Sequence, residues 1–299
     1  MSIDPYIVLG SAVVGLLVGM TGAGGGALMT PMLVLLFSVK PSAAISSDLV
    51  AAVVMRPFGA AVHLRQGTVN FGLVRWLVTG SVPMAFLGAY LLHLTGDSAG
   101  AELDVERVLG SALLLGALAM VVRVALDRRR GGTPTRDLSA LLVRPVPTFL
   151  IGIVGGLLVG FTSVGSGSLM IVLLLLLYPM LGAKQLVGTD LVQAVPLTLA
   201  AALGALAFGH VEFAVTASLM IGSVPAVVVG SLLSSRAPDR WLRPLIGFVI
   251  FASGLKYVGL GTEALGWTLC IVLLLAGGGW LVVTRPWKES PAVAEETEA

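Results

Sequence analysis

Apolar runs close to the length that crosses a bilayer recur along this chain and leave it few architectures to choose from. A hydrocarbon core about 30 Å thick takes roughly 20 helical residues to span. Leu49–Leu64, Phe71–Leu94 and Val105–Leu126 in the first half meet or approach that length. Leu191–Phe208, Phe213–Leu233 and Trp241–Leu260 match them in the second half, and Leu265–Val283 follows as an extra span. Only 11% of residues are charged, against about 25% in soluble domains. Together with a mean hydropathy of +0.99, this removes water as the solvent for most of the surface. The reading is an all-α polytopic membrane protein in contact with the lipid bilayer. The opening MSIDPYIVLG lacks the basic segment of a signal peptide, so the first apolar stretch is expected to be retained.

The two halves repeat. Gly15-Leu16-Leu17-Val18-Gly19-Met20-Thr21 returns as Gly156-Leu157-Leu158-Val159-Gly160-Phe161-Thr162, at an offset of 141. Ser47-Asp48-Leu49-Val50 returns as Thr189-Asp190-Leu191-Val192, and Gly80-Ser81-Val82-Pro83 as Gly222-Ser223-Val224-Pro225, both at an offset of 142. Apolar composition produces chance Leu and Val matches, but not a shared Gly/Ser/Pro/Asp skeleton. The expected organisation is a first repeat over 1–126, a basic linker over 127–147 and a second repeat over 148–262. An extra helix over 263–284 and a disordered tail over 285–299 complete it.

Loop charge orients the copies. The linker carries Arg128, Arg129, Arg130, Arg136 and Arg144 and reads as cytoplasmic, with the C-terminus on the same side. One span back, Asp97, Glu102, Asp104 and Glu106 place their loop outside, whereas Arg236, Arg240 and Arg243 place the equivalent loop of the second copy inside. Arg65 and Arg75 likewise stand against His210 and Glu212. Opposite charge at equivalent loops predicts inverted repeats, each a broken-helix hairpin followed by three spans.

The hairpins come from two awkward segments. Ile7–Val39 is interrupted by Gly22-Ala23-Gly24-Gly25-Gly26, and Phe149–Leu181 by Ser163-Val164-Gly165-Ser166-Gly167. The flanking pieces read as short of a full crossing. Gly10, Gly15 and Gly19 are explained by close helix packing. A run of three glycines is not, because each points a different way and costs about 1 kcal/mol of helix propensity. Irregular backbone at membrane depth is tolerated only beside protein or a wet cavity, and matched breaks in two halves point to a transporter's binding site. Restarting helices present unpaired N–H groups and a positive dipole end. Thr21, Thr162, Ser163, Ser166 and Ser168 add hydroxyls. Such a site suits a small anionic substrate, although carbonyls at the half-helix ends could hold a cation instead.

At these residues the sequence resembles the sulfite exporter TauE/SafE family of bacterial anion exporters. The likeness covers about residues 7–260. It rests on the Gly-rich turn Gly19 to Gly26 leading to Pro31, and on Ser46-Ser47 followed by His63, Arg65 and Gly67. It implies movement of sulfite, sulfoacetate or a related organosulfur anion across the inner membrane. One departure stands out: Asp48, and Asp190 in the repeat, occupy places expected to hold a small hydroxyl residue.

Asp48 and Asp190 read as heads of equivalent helices, where Asp serves as an N-cap. Alternatively they form a proton-accepting pair at the edge of the site, since intramembrane carboxylates are costly and serve relays. Arg56 lies well inside a predicted span, with Thr198 at the repeat position. It is expected to bind the anion or pair with an Asp. His63 reads as helix-end packing or a proton relay, Gln193 as a lining residue, and Pro83 and Pro225 as kinks. His93 and His210 are placed at the membrane interface. The favoured function is a proton-coupled secondary transporter of a sulfur-containing or organic oxyanion. The alternative is a cation-coupled or metal-ion transporter with Asp48 and Asp190 as ligands.

No HExxH or GxSxG constellation marks an enzyme, and no P-loop supplies a pump. One cysteine, Cys270, and three His offer no metal cluster. No cofactor is implied. The net charge of +2 gives no reason to expect nucleic acid, and a homodimer is compatible with the sequence.

Overall fold

The computed structural model describes residues 3–21, 25–96, 101–130, 142–233, 239–261 and 263–272. All regular structure among them is helical: α1 (Pro5–Thr21), α2 (Gly26–Phe37), α3 (Pro41–Arg65), α4 (Phe71–Gly96), α5 (Ala101–Arg130), α6 (Pro145–Thr162), α7 (Leu169–Leu177), α8 (Ala183–Phe208), α9 (Phe213–Leu233) and α10 (Asp239–Tyr257). These form one unit. A second, beginning at Gly259, contributes α11 (Glu263–Val272), and the rest of the expected C-terminal span and tail lies outside the described residues. Six helices, α3, α4, α5, α6, α8 and α9, are long and apolar enough to cross a membrane.

Several boundaries differ from the apolar runs. α3 begins at Pro41 and α8 at Ala183, seven residues before Asp48 and Asp190. The polar Ser42-Ala43-Ala44-Ile45-Ser46-Ser47 stretch hid that first part of α3, and proline at the first helical position is preorganised for it. Neither aspartate is therefore an N-cap; both are interior helical residues. α6, at 18 residues, is also long enough to cross a membrane, so the second hairpin has one full-length leg and one short leg. Pro83 and Pro225 lie inside α4 and α9.

The packing is pseudo-symmetric. Exchanging α1–α5 with α6–α10 carries the main helix pairs onto one another: α1 with α9 onto α6 with α4, and α3 with α9 onto α8 with α4. The pairs α3 with α8 and α5 with α10 map onto themselves. The self-paired helices run antiparallel. Ser46 near the start of α3 lies against Gly209 just beyond α8, whereas His63 near the end of α3 lies against Gly188 near the start of α8. Gly110 meets Gly254 and Tyr257, while Met120, further along α5, meets Gly247. Two hydrogen bonds repeat the symmetry. The Asn70 amide donates to Thr189 Oγ1 (3.1 Å) and the Glu212 amide to Ser47 Oγ (3.2 Å), at matching offsets of 142.

The repeated motifs find each other across the halves. Gly15 packs on Ser223 and Gly19 on Val227 and Gly230; Gly156 packs on Ser81 and Gly160 on Ala85. Helix backbones touch along both seams, the close approach that small residues permit where no hydrophobic force drives association. A Cβ at Gly160 would fall on the Ala85 backbone, which has no rotamer by which to retreat. Gly160→Val is therefore expected to destabilise the protein by about 3 kcal/mol, read as a lowered thermal midpoint in the same detergent.

Candidate functional site

Each repeat opens with a helical hairpin, α1 with α2 and α6 with α7, and the start of α2 lies against the turn of the second. In the second, Ser163 closes α6 in the left-handed region (φ 58°), with its amide bonded to Val159 O at 2.8 Å. Gly165 (φ 125°) and Gly167 (φ 92°) then turn the chain through backbone space that a Cβ would strain. This is the physical content of the Ser-Val-Gly-Ser-Gly sequence. At the base, Tyr178 Oη beyond α7 lies 2.5 Å from Thr148 Oγ1 and accepts from the Arg144 amide at 2.8 Å, so α7 returns to the level where α6 began. In the first hairpin, Phe37 at the end of α2 returns to Gly10 at the matching place, without a hydroxyl. Tyr178→Phe is expected to cost about 1–2 kcal/mol by leaving buried groups unpaired, detectable by thermal unfolding.

The two turns meet. A Cβ at Gly26, the first residue of α2, would collide with the Ser163 carbonyl group. Gly22, Ala23 and Gly24 of the first break lie outside the described residues, and Gly25 sits near Met55 of α3. Asp48 ties this junction together. Its Oδ2 accepts from Ser163 Oγ at 2.6 Å and from Thr30 Oγ1 of α2 at 3.2 Å, and the side chain is buried. A carboxylate deep inside an apolar fold is retained only when such donors satisfy it.

Asp190, its repeat partner on α8, is equally buried but differently engaged. Oδ1 accepts from Gln193 Nε2 at 3.0 Å, and the backbone N–H of Gly167 also bonds the carboxylate. Gln193 is held in turn: its Oε1 accepts from Ser81 Oγ (3.3 Å), and Nε2 lies 2.8 Å from Met170 Sδ. The aspartates thus use the same scaffold positions with different chemistry.

Arg56 lies on α3 two turns beyond Asp48 and is 8% exposed. Its charge acts on Asp190 and next on Asp48, yet neither forms an ion pair with it among the described residues. Both terminal nitrogens, Nη1 and Nη2, are buried without a hydrogen-bond partner there. Ser166 Oγ, beside Gly167 in the second break, is in the same condition. A desolvated guanidinium with an unused fork of donors costs several kcal/mol and offers the geometry that planar oxyanions accept.

Other expected site residues make local hydrogen bonds. Thr21 Oγ1 donates to Leu17 O (2.7 Å), and Thr162 Oγ1 to Leu158 O (2.6 Å) and Val164 O (3.2 Å). His63 Nδ1 lies 3.0 Å from Thr68 Oγ1 at the end of α3. Thr30 and Arg123 were not anticipated. Thr30 sits four residues past the glycine run, in a stretch that looked purely apolar. Arg123 lies three residues from the end of an apolar run, and its charge reaches Asp190 from α5. No group of three or more His, Cys, Asp or Glu side chains converges as a metal site among the described residues.

Comparison with known proteins agrees with this architecture. A family profile described as Sulfite exporter TauE/SafE matches residues 7–257. The chain is 42% identical over 254 residues to the probable membrane transporter protein YjnA of Bacillus subtilis, covering 84% of this chain and 98% of that one. It is 28% identical over 259 residues to a probable membrane transporter protein of Xylella fastidiosa, covering 84% and 94%. No solved structure matches. With the profile spanning nearly all of the helical unit, and with six helices able to cross a membrane, this multi-pass membrane protein belongs to the sulfite exporter TauE/SafE family.

Proposed function

We propose that this protein is a proton-coupled secondary transporter of a small sulfur-containing or organic oxyanion, working by alternating access across the inner membrane. The observation that carries this reading is Arg56: a buried guanidinium whose two terminal nitrogens have no partner among the described residues, in reach of two carboxylates that it does not pair with. An oxyanion with two coplanar oxygens satisfies both nitrogens at once. Near the junction of the two hairpins, Ser166 Oγ is also buried without a partner among the described residues and is a further donor.

The antiparallel pairing of equivalent helices supports inverted repeats, with the two breaks near the bilayer midplane. Inversion gives alternating access a simple form, in which the repeats exchange conformations around one site. It also puts the basic linker and the loop around Arg236–Arg243 on the cytoplasmic side. The family name points to sulfite, and the YjnA relative's name to membrane transport; both fit an anion held by a single fixed cation. The carboxylate pair supplies the proton step, because two ionised aspartates would repel an arriving anion until one of them is protonated. They are not read as metal ligands: each is engaged by hydroxyl or amide donors.

Uptake of labelled sulfite, thiosulfate and sulfoacetate into liposomes holding the purified protein tests the reading. At least one is expected to accumulate when a pH gradient is imposed, and the absence of flux for all three would overturn it.

A further inference from the structure

The scaffold around the site is symmetric, but its polar groups are not. Asp48 matches Asp190, Ser223 matches Ser81 and Met29 matches Met170 across the repeat. Gln193, however, stands opposite Ala51, Arg56 opposite Thr198 and Thr30 opposite Ile171. The donors to Asp190 are N–H groups, the Gln193 amide and the Gly167 backbone. The Gly167 N–H can only donate, and Ser81 and Met170 hold the Gln193 amide with its Nε2 toward Asp190, so these partners favour the ionised carboxylate. The donors to Asp48 are two hydroxyls, Ser163 and Thr30. A hydroxyl donates to a carboxylate and, after rotating, accepts from a carboxylic acid. The surroundings of Asp48 therefore accommodate both protonation states, whereas those of Asp190 favour the ionised one.

Resting on the transport reading, we propose that the aspartates divide the work: Asp190 is the fixed counter-charge of Arg56, and Asp48 is the exchangeable proton site. Arg56 and Asp190 cancel. An ionised Asp48 then leaves one negative charge at the hairpin junction, which opposes an anion until a proton arrives. One proton enters with each anion, so a monoanion loads without changing the carrier's total charge. Because Asp48 Oδ2 holds α2 through Thr30 and the second break through Ser163, its protonation also rearranges the ties between the two hairpin turns, linking proton loading to the moving parts.

The other charges near Asp48 leave this role to it. α2, α6, α7 and α9 carry no titratable side chain. From α8 comes Asp190. On α5, Glu102 is occupied by Ser42 (2.8 Å), Asp104 pairs with Arg107 at the surface, Glu106 acts on Tyr257 and Arg123 acts on Asp190. On α4, Arg75 is exposed, and Tyr90 and His93 pack on Phe208 at the far end of α8. On α3 itself, His63 is bonded to Thr68 and Arg65 is exposed at the helix end.

Proton uptake on adding sulfoacetate to the purified protein in weak buffer, followed with a pH indicator, tests the division. The carboxylate of this probe stays ionised around neutral pH. Wild type and Asp190→Asn are expected to take up protons on binding, and Asp48→Asn none. Persistent uptake by Asp48→Asn, or loss in Asp190→Asn, overturns the proposal. Should Asp48→Asn fail to fold, Thr30→Val serves instead. It removes one hydroxyl from the carboxylate and is expected to move the pH midpoint of flux to higher pH, whereas an unmoved midpoint counts against Asp48. If wild type neither binds nor moves sulfite, thiosulfate or sulfoacetate, the transport reading falls and takes this proposal with it. If wild type binds and only the variant pattern is wrong, the transport reading stands.

Discussion

Replacing Arg56 with Gln is expected to lower oxyanion transport at least about 100-fold while leaving the protein folded. Two charge-assisted hydrogen bonds to a desolvated anion are each worth about 1.5–3 kcal/mol, and Gln provides one neutral amide in place of a charged fork. Some stability is expected to be lost as well: the terminal nitrogens have no hydrogen-bond partner among the described residues, but the charge acts on Asp190 and Asp48, and removing it leaves two buried carboxylates without that counter-charge. Arg56→Lys keeps the charge but not the planar fork, and an intermediate rate is expected. Initial rates in liposomes, normalised to folded protein by size-exclusion profile, separate the three. Wild-type rates in Arg56→Gln would remove Arg56 from the site.

The second large effect lies at Gly26. A Cβ there would coincide with the Ser163 carbonyl group, which is backbone held by its own left-handed turn. Gly26→Val therefore has to separate the two hairpin turns, stretching the hydrogen bonds that Asp48 makes to Thr30 and Ser163. We expect transport to be abolished and the thermal midpoint to fall, overpacking of this kind costing about 3 kcal/mol. Gly25→Ala, whose added Cβ meets only the tip of the Met55 side chain at 3.8 Å, should be milder in both respects. The contrast between adjacent glycines separates contact of the turns from a general demand for flexibility.

Much of this was legible in the sequence because the signals were periodic and repeated. Apolar runs gave the spans, and the Gly/Ser/Pro skeleton at offsets of 141 and 142 gave the duplication. The small-residue motifs that betray the repeat are the ones that pack across it, Gly15 on Ser223 and Gly156 on Ser81. The breaks were visible as glycines that no packing face explains. Arg56 was visible because an arginine amid apolar residues is conspicuous.

What stayed hidden depended on contacts between distant segments. Thr30 is one hydroxyl in an apolar run, and nothing local says that it reaches Asp48. The starts of α3 and α8 were placed too late because Ser and Lys lower hydropathy without ending a helix, so two interior aspartates passed for caps. Sequence does not reveal that the Thr21 and Thr162 hydroxyls bond back to their own helices. The asymmetry between Asp48 and Asp190 was out of reach for the same reason: their neighbours in sequence match, and only their partners in space differ.

On the proposed mechanism one oxyanion sits where α2 meets the second hairpin turn, held by Arg56. Selenite, a heavier relative of sulfite, makes that directly observable through anomalous diffraction from crystals soaked in it. The account predicts a selenium peak placed so that the selenite oxygens lie within hydrogen-bonding distance of Arg56 Nη1 and Nη2, beside the turn from Ser163 to Gly167. Selenium bound elsewhere in the helical unit, with Arg56 bare, would contradict it.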